Sequence, residues 1–510
     1  MRDGGKSRIW LEGAGAGILL TLGFTWNQLS SYHLDLYHRL LPITTVLRAF
    51  AIYVMLACLF GVGLLWLLDK LDRRGKTLLW ALFGAALIAR TVSGLMIADV
   101  VRDQHVTVTR VFLLCLAIAL LIWLLARPVY TIAVRMLRFL LLLVGFCIFW
   151  VLPMMIYMGL VHQPSDVASF VKPIPDQPKP HRRLVWLLFD ELSYDQLFDH
   201  RQPGLALPNF DRLRTQSVNF SNVQPAGYFT ELVVPSVFLG KPLAEVRSTL
   251  QGQLLVHGSG ESTWEKFNPA ATIFADAKHE GFTTGIVGGW NPYCRLLPQQ
   301  LDFCWQQLFL FRNHFASRFS TIGNVLVPVR ASIARFKHQQ FKTEPTDTER
   351  LDELIGMTEA LVKNEDIDFA FAHLPIPHQP NLYSRSRNRK QPGGSYLDNL
   401  VFADQTLALF LQALNETHSA SMTTLVISSD HSWRVPMWRG EKGWTAEDEK
   451  ASQGRFDTRP VLLIHFSGQT NAVDEGGAFP LVNMHDILEK ILTGEIVSPA
   501  QLNAWVQAKS

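Results

Sequence analysis

The sequence predicts a multi-pass α-helical membrane domain followed by an α/β sandwich domain outside the cytoplasm. Three observations predict it: an uneven distribution of charge, five apolar stretches near the N-terminus, and a later alternation of apolar runs with helical patterns. Residues 1–162 carry 15 Lys or Arg against 7 Asp or Glu, whereas the rest of the chain carries 32 against 37. With 48% hydrophobic residues and a net charge of +3 over 510 residues, the composition excludes a disordered chain, a basic nucleic-acid binder and a small disulfide scaffold.

The five apolar stretches lie at residues 13–32, 49–68, 77–98, 111–126 and 139–161. A membrane-spanning helix needs roughly 20 mostly apolar residues, and the second and fifth stretches meet this requirement best. Ten Lys or Arg residues precede the first stretch or lie in the second-to-third and fourth-to-fifth connections, and four lie in the other connections. The positive-inside rule therefore predicts a cytoplasmic N-terminus, five crossings over residues 1–162, and a location outside for everything that follows.

The rest of the chain is predicted to be a linker followed by one large domain. Residues 163–183 are rich in proline and lack an apolar period, which is typical of an extended linker. From residue 184 to 510, continuous apolar runs predict buried parallel strands, and they alternate with predicted helices. The predicted strands are 184–189, 283–287, 367–374, 423–428 and 460–465, and the predicted helices are 209–216, 272–279, 348–362, 398–414 and 484–491. This alternation favours a mostly parallel sheet with helices on both faces.

Acidic residues follow two of the predicted strands. Asp190 and Glu191 come after the first strand, and Asp430 and His431 come after the fourth. The functional site of such a sheet lies beyond the carboxyl ends of its strands, and carboxylates with an imidazole suit a divalent cation. We therefore predict a metal site at this edge, with zinc or manganese favoured and calcium or magnesium as further candidates. Taken singly, either acidic pair has the simpler interpretation of a helix N-cap.

Thr230, in the segment PAGYFTELVVPSVFLGK, is the candidate nucleophile and a candidate metal ligand. A threonine hydroxyl becomes nucleophilic when a coordinated metal lowers its pKa. The alternative is that Thr230 is the N-cap of a helix running through the following apolar residues. The two interpretations are compatible, since a hydroxyl at a helix N-terminus lies where backbone N–H groups bind anions.

Further candidates lie on two loops. In FAHLPIPHQP, three prolines stiffen the loop, so His378 could protonate a leaving oxygen, and His373 could contact substrate, bind a second metal ion or simply end the strand. After the Asp430–His431 pair come Arg434 and Lys442, which could hold an anionic substrate group or be solvated surface charges. Cys294 and Cys304, ten residues apart in a predicted oxidising compartment, are either a disulfide or two unpaired cysteines.

Several ordered features resemble the alkaline phosphatase/sulfatase superfamily over residues 184–470. LVWLLFDELSYD resembles its first strand and metal-binding acid, ALPNFDRLRTQSVNFSNVQPAG its Pro-Asn-x-Asp-x-Leu helix, SYLDNLVFADQTLALFLQAL its Asp-bearing helix, ISSDHS its metal-binding Asp-His, and GEKG with DTRPVLLI its later lysine and strand. The resemblance implies an alkaline-phosphatase-like fold and a divalent metal. The Cys or Ser that sulfatases mature to formylglycine is missing at the corresponding register, where Val233 stands two residues before Pro235.

Within the superfamily, the chain resembles the membrane-bound phosphoethanolamine transferases and the lipoteichoic acid synthases. In the transferases a threonine stands five residues before a proline, as Thr230 does before Pro235. The chain departs from them in having Asp190 and Glu191 where they show one Glu, in lacking their cysteines near the nucleophile, and in keeping a sulfatase-like Lys442. The resemblance implies transfer of a phosphoethanolamine or phosphoglycerol head group from a lipid to an envelope glycan or lipid acceptor at a bacterial inner membrane.

Two other functions stay open at this stage. The first is a hydrolase of phosphate or sulfate esters on envelope glycans, and the second is a catalytically inactive membrane protein of envelope assembly. No nucleic-acid partner is expected, and the sequence does not indicate an oligomeric state.

Overall fold

In the computed structural model, the described residues are 4–30, 43–95, 108–125, 127–161, 169–174, 182–249, 253–307, 347–441 and 443–509. They divide into two compact units, an N-terminal helical unit that ends at Val161 and an α/β unit from Ser169 onward. Of the predicted site residues, Lys442 lies outside the described residues.

The N-terminal unit consists of helices in every part that the structure describes. They are α1 Gly4–Ser30, α2 Ile43–Lys70, α3 Arg73–Leu95, α4 Val108–Leu125, α5 Arg127–Phe146 and α6 Ile148–Val161. By length and composition, two segments among the described residues could cross a membrane, Ala51–Leu68 and Arg127–Met154. The helix Phe112–Leu125 is apolar but shorter. Two candidate spans are thus shown, and the five-crossing topology stays a prediction.

One predicted boundary in this unit is wrong. Residues 127–138 were expected to form a charged connection, but they are the first half of α5. Arginine is a good helix former, and Pro128 near the helix start is compatible with helical geometry there. Arg127 and Arg135 therefore lie on an exposed helical surface rather than in a loop.

The Gly-rich first stretch is explained by close helix packing. A Cβ atom added at Gly15 would lie 1.9 Å from the carbonyl oxygen of Leu141, and one at Gly17 would lie 2.4 Å from the backbone nitrogen of Cys58. Small residues allow helix backbones to approach in this way. Beside them, the buried carboxylate of Glu12 accepts hydrogen bonds from Arg8 at 2.8 Å and from Arg138 Nη2 at 2.8 Å. The polar residues of α1 thus tie it to α5.

The α/β unit is built on a nine-stranded sheet with three small sheets beside it. Its strands are β1 Ser169–Val171, β2 Arg183–Phe189, β3 Val218–Phe220, β4 Val223–Gln224, β5 Leu243–Ser248, β6 Leu254–Gly258, β7 Glu265–Lys266, β8 Thr284–Gly288, β9 Phe303–Gln306, β10 Phe369–Leu374, β11 Tyr383–Ser384, β12 Arg389–Lys390, β13 Thr423–Ser428, β14 Leu462–His465, β15 Val473–Glu475 and β16 Phe479–Pro480. Its α-helices are α7 Pro208–Arg214, α8 Thr230–Leu239, α9 Ile273–His279, α10 Tyr293–Leu296, α11 Asp347–Lys363, α12 Tyr396–Asn415, α13 Val435–Trp438, α14 Ala446–Ser452, α15 Met484–Thr493 and α16 Pro499–Lys509.

The large sheet has the order β1-β9-β8-β10-β2-β13-β14-β3-β15. Its centre is parallel, with β2 between β10 and β13 and with β8 beside β10. The prediction of a mostly parallel sheet is confirmed, although β14, expected among the parallel strands, runs antiparallel to β13. All seven residues of β2 are buried, which explains why that strand shows a continuous apolar run rather than an alternating one.

Helices cover both faces of this sheet, because alternate side chains of β2 enter different cores. Val185 and Leu187 belong to one large cluster, to which α11 and α12 contribute buried leucines. Trp186 points to the other face, where it contacts Phe238 of α8 and Phe371. The three-layer α/β architecture expected from the sequence is therefore present.

Two segments beside the sheet bear on the sequence predictions. Part of the predicted linker, Ser169–Val171, is a strand that pairs antiparallel with β9, so the linker does not extend unbroken from 163 to 183. Residues 162–168 and 175–181 lie outside the described part. Cys294 of α10 and Cys304 of β9 form a disulfide with a Cα–Cα distance of 5.6 Å.

Candidate active site and metal centre

Two neighbouring strands deliver acidic residues to the same edge of the sheet. Ser428, the last residue of β13, pairs with Leu188 of β2, so the two parallel strands end side by side. Asp190 follows the end of β2 directly, and Asp430 lies two residues past the end of β13. The prediction that the two acidic loops converge required β2 and β13 to be parallel neighbours, and the observed register shows that they are.

Thr230 lies at the start of α8 and points at Asp430. Its Oγ1 donates a hydrogen bond to Asp430 Oδ2 at 2.7 Å and lies 3.3 Å from His431 Nε2. The N-cap alternative is wrong, because Phe229 occupies the N-cap position with extended backbone angles and Thr230 is already helical. The hydroxyl therefore belongs to the same buried group as the two acids.

Asp190, Asp430 and His431 form a group able to hold a cation. Each offers a ligand atom within 4.8 Å of the others, and all three are buried. His431 Nε2 lies 3.2 Å from Asp430 Oδ2 and 3.6 Å from Asp190 Oδ1. Asp190 Oδ1 is buried without a hydrogen-bond partner in the described structure. An orphaned carboxylate oxygen is costly, and a metal ion is a partner that this geometry accommodates.

The electrostatics of the two aspartates agree with a cation site. Burial raises the pKa of Asp190 well above its ordinary value, and the nearby Asp430 charge raises it further. Burial acts in the same direction on Asp430, but His431, His373 and the Thr230 hydroxyl outweigh it and hold its pKa low. Two buried acids this close repel each other when ionised, and a divalent ion would relieve that repulsion. The donor set fits zinc or manganese.

Glu191 is not part of this group, which corrects its prediction as a metal ligand. Its carboxylate accepts hydrogen bonds from Arg434 Nε at 2.6 Å and from Trp438 Nε1 at 2.8 and 2.9 Å. Burial acts to raise the pKa of Glu191, but the net shift is downward, and Arg434 contributes to it through its charge and its hydrogen bond. The left-handed backbone of Glu191, with φ of 64°, turns its side chain away from the direction that Asp190 takes.

Arg434 is buried behind the site rather than displayed to a substrate. Besides Glu191, it contacts His378, whose Nε2 accepts a hydrogen bond from Arg434 Nη2 at 2.7 Å, and the carbonyl oxygen of Tyr228 at 3.4 Å. Its side chain is about 5% exposed. The predicted substrate-binding role of Arg434 is corrected accordingly: its guanidinium links Glu191 to His378.

His378 lies near the site, but both of its ring nitrogens are occupied. Because arginine can only donate, Nε2 accepts from Arg434, and Nδ1 therefore carries the proton that it gives to the carbonyl oxygen of Gln379. Burial lowers the pKa of His378, and the positive charge of Arg434 contributes. The ring is neutral with no proton directed at a substrate, so the arrangement does not support the predicted role of general acid. It supports a positioning role.

His373 lies deeper than predicted. Its Nδ1 is 2.7 Å from the hydroxyl of Tyr293, and its Nε2 is buried without a hydrogen-bond partner, 3.9 Å from Asp190 Oδ2. Burial lowers the pKa of His373 to about 4, so the imidazole is neutral near pH 7. The structure places it beneath the metal-facing aspartate rather than where a substrate would first contact the protein.

Sequence reasoning missed two residues that hold this site in place. The buried Asn399 donates hydrogen bonds to the carbonyl oxygens of Pro377 and His378, both at 3.2 Å, and so fixes the proline-rich loop. Trp438 binds the Glu191 carboxylate. The sequence did contain a signal for Asn399, because an asparagine on the apolar face of α12 is expected to be buried, and a buried amide needs hydrogen-bond partners. The role of Trp438 had no sequence signal.

Metal retention should separate Asp190 from Glu191. We expect Asp190→Asn to lose most bound divalent metal after dialysis, because one of three ligands is weakened, whereas Glu191→Gln retains it. The measurement is metal content per folded full-length protein by mass spectrometry. Equal loss in both variants would contradict the ligand assignment.

The model of the family described as Sulfatase matches residues 182–493. No curated protein matches the chain in sequence. Among solved structures, the chain is similar to Ps i-CgsB, with 16% identity, a TM-score of 0.43, and coverage of 63% of this chain and 73% of that one.

Two further similar structures are named enzymes. One is the phosphonate monoester hydrolase of Agrobacterium radiobacter, with 13% identity, a TM-score of 0.39, and 61% and 74% of the two chains covered. The other is the lipoteichoic acid synthase LtaP from Listeria monocytogenes, with 13% identity, a TM-score of 0.39, and 63% and 75% covered. At these sequence identities and TM-scores, the similarity to these structures does not indicate which reaction the chain catalyses.

Proposed function

The chain belongs to the sulfatase family and is an enzyme of the hydrolase or phosphotransferase type, and on that premise we propose that it transfers a phosphorylated head group from a membrane lipid to an envelope acceptor. The observation that carries the proposal is the hydrogen bond from Thr230 Oγ1 to Asp430 Oδ2. It attaches the hydroxyl to the candidate metal-binding group of Asp190, Asp430 and His431. A hydroxyl held among these ligands is the expected nucleophile for a phosphodiester. The resemblance inferred from the sequence motifs is confirmed at the level of the superfamily.

The residues of the site suit a two-step transfer. In the first step Thr230 Oγ1 forms a bond to phosphorus, and the bond from phosphorus to the diacylglycerol oxygen breaks, which leaves a phosphothreonine diester. The hydroxyl proton points at Asp430 Oδ2, the atom placed to take it, and the departing oxygen takes a proton from solvent. A divalent cation, when bound, would lower the pKa of the hydroxyl and neutralise developing charge. In the second step an acceptor oxygen forms a bond to phosphorus, the bond from phosphorus to Thr230 Oγ1 breaks, and the acceptor's proton passes to the Thr230 oxygen.

The N-terminal helical unit of the chain supports a lipid donor. Two of its described segments are long and apolar enough to cross a membrane. Large apolar side chains on these two segments are exposed, as expected of surfaces that face lipid, among them Phe60, Trp66, Phe139, Phe149 and Trp150. A membrane anchor raises the effective concentration of a lipid substrate at an attached catalytic unit. We therefore propose an integral membrane enzyme with five crossings and a cytoplasmic N-terminus.

The disulfide supports a catalytic unit outside the cytoplasm. Cys294 and Cys304 are bonded within the α/β unit, and such bonds persist in oxidising compartments. Together with the positive-inside bias, this favours the outer face of a bacterial inner membrane.

The proposal is tested by trapping the intermediate. Full-length protein is reconstituted with zinc or manganese in vesicles of phospholipid with an isotope-labelled head group and no added acceptor. We expect diacylglycerol to accumulate and the peptide containing Thr230 to gain the head-group phosphate, as seen by mass spectrometry. Vesicles treated with a chelator are the matched control.

Three outcomes separate the functions. Label that moves to an added envelope glycan or lipid supports transfer. Label released only as free head-group phosphate would mean that the protein is a hydrolase. Absence of diacylglycerol together with absence of a labelled peptide would overturn the proposal.

A further inference from the structure

We infer that two groups of side chains beside the His378 loop bind the surface of an anionic bilayer. The first group is the pair of guanidinium groups of Arg387 and Arg389, and the second is a cluster of the aromatic rings of Tyr228, Phe229 and Phe456. Together they are called the docking surface. The inference goes beyond the proposed function, because it concerns how the α/β unit binds a membrane surface and not which reaction it catalyses.

The β11–β12 hairpin supplies the positive charge. Residues 383–391, with the sequence YSRSRNRKQ, contain four basic residues and no acid, although the chain after residue 162 carries more acids than bases. Two of these basic residues have acidic partners elsewhere in the unit. The other two, Arg387 and Arg389, are exposed, and among the described residues neither forms an ion pair with a carboxylate. Both donate to the neutral Gln391 Oε1, at 3.0 and 3.1 Å, so their charges are left for a partner outside the chain.

Helix α12 joins this hairpin to the loop that carries His378. Asn399 Oδ1 accepts a hydrogen bond from the backbone N–H of Leu382 at 3.0 Å, and Asn399 Nδ2 donates one to the carbonyl oxygen of His378 at 3.2 Å. Tyr383, the first residue of the hairpin, stacks on Phe402 of the same helix, with ring centroids 5.1 Å apart. A surface that binds the hairpin therefore lies beside the loop of the candidate active site.

The aromatic cluster is connected to the same loop through Arg434. Tyr228 contacts both Phe229 and Phe456, with ring centroids 5.0 and 6.0 Å apart. Phe229 is 45% exposed and Phe456 is 36% exposed. Arg434 Cζ lies 5.8 Å from the centroid of the Phe229 ring, and Arg434 Nη2 donates to His378 Nε2. Exposed aromatic rings near cationic groups are typical of surfaces that bind the bilayer interface.

This combination favours a bilayer over a soluble polyanion. Either partner would satisfy the guanidinium groups, but only a bilayer has an apolar layer beneath its anionic surface that can take the aromatic rings. The same chain carries two segments that are long and apolar enough to cross a membrane. Such an anchor keeps head groups at high effective concentration around the attached unit, so even a weak surface contact is populated.

Hydrogen–deuterium exchange of the segment 383–391 measures docking directly. Full-length, metal-loaded protein is placed in nanodiscs of phosphatidylcholine alone or mixed with either phosphatidylserine or phosphatidylglycerol. We expect slower exchange of this segment in both anionic discs, and recovery of the phosphatidylcholine rate at high salt because salt screens the attraction. Arg387→Gln combined with Arg389→Gln should lower the docking constant roughly 25-fold, at about fivefold per charge. Its exchange should then be the same in all three discs.

Matched variants test each part of the docking surface. Arg212→Gln combined with Lys266→Gln removes the same number of exposed positive charges from α7 and β7, so it should behave like the wild type. Phe456→Ser removes an apolar contact and should reduce the protection of the hairpin in both anionic discs. Unchanged protection in Phe456→Ser would overturn the aromatic part of the surface. Loss of protection in the Arg212 and Lys266 control would overturn the assignment to the hairpin.

Three other results would overturn the inference as a whole. The first is equal exchange of the wild type in all three discs. The second is protection by phosphatidylglycerol but not by phosphatidylserine, which would indicate occupation of the active site by one head group. The third is protection by soluble dextran sulfate but not by anionic discs, which would indicate a polyanion as the partner. Because the exchange measurement needs no turnover, failure of lipid transfer and failure of docking are observed separately.

Discussion

Replacing Thr230 with alanine is expected to abolish turnover while leaving folding and bound metal close to wild type. The hydroxyl is the atom that Asp430 orients at 2.7 Å, and no other hydroxyl in the described residues bonds to Asp430. Removal of a nucleophile in a comparable covalent mechanism costs roughly 10⁴- to 10⁶-fold in rate. Diacylglycerol release and covalent labelling of the Thr230 peptide are the two measurements, and both should vanish together.

Two variants make this result specific. Thr230→Ser retains a hydroxyl and should retain part of the activity and the covalent label. Thr406→Ala is a matched control, because Thr406 is also a buried helical threonine, but its hydroxyl bonds only to the carbonyl oxygen of Phe402. It should remain as active as wild type. Activity near the wild-type level in Thr230→Ala would remove the basis of the proposed mechanism.

The features predictable from the sequence were those set by backbone pairing and burial. The run 184–189 is continuously apolar because β2 is covered on both faces, and its parallel pairing with β13 places Asp190 beside Asp430. Neither conclusion requires side-chain detail. The position of Thr230 followed from its spacing to Pro235, which was informative only through a family resemblance.

The features that sequence reasoning missed depend on local turns. Asp190 and Glu191 are adjacent acids, and nothing in their order says which one faces a metal ion. The left-handed backbone at Glu191 decides it by directing that carboxylate to Arg434 and Trp438. Arg434 resembled a surface charge because a buried guanidinium is rare without a partner, and its partner is 243 residues away in the chain.

Charged residues also led to a wrong helix boundary in the N-terminal unit. Arg127, Arg135 and Arg138 indicated a connecting loop, but arginine is compatible with a helix when its head group can reach solvent or an acid. Arg138 does the latter, with two hydrogen bonds to the buried Glu12 at 2.9 and 2.8 Å. The positions of charged residues therefore do not locate the ends of these helices.

The second large effect is expected from Glu191→Ala, which should destabilise the α/β unit by about 3–5 kcal/mol because it leaves the buried Arg434 charge without its partner. Glu191 is fully buried and binds Arg434 Nε at 2.6 Å, so water cannot readily replace the carboxylate. The same change frees Trp438 Nε1 and loosens the guanidinium that holds His378. Denaturant unfolding of the full-length protein, followed by tryptophan fluorescence, measures the loss.

Two further variants distinguish the buried ion pair of Glu191 and Arg434 from an ordinary surface contact. Glu449→Ala removes the exposed partner of Arg439 and should cost less than about 1 kcal/mol. The double change Glu191→Leu with Arg434→Leu removes both charges and should recover part of the stability lost in Glu191→Ala, since an apolar pair avoids the desolvation of two ions. If Glu191→Ala were no more damaging than Glu449→Ala, the buried ion pair would not be what positions His378. The stiffness of its loop would then have to come from the prolines and Asn399 alone.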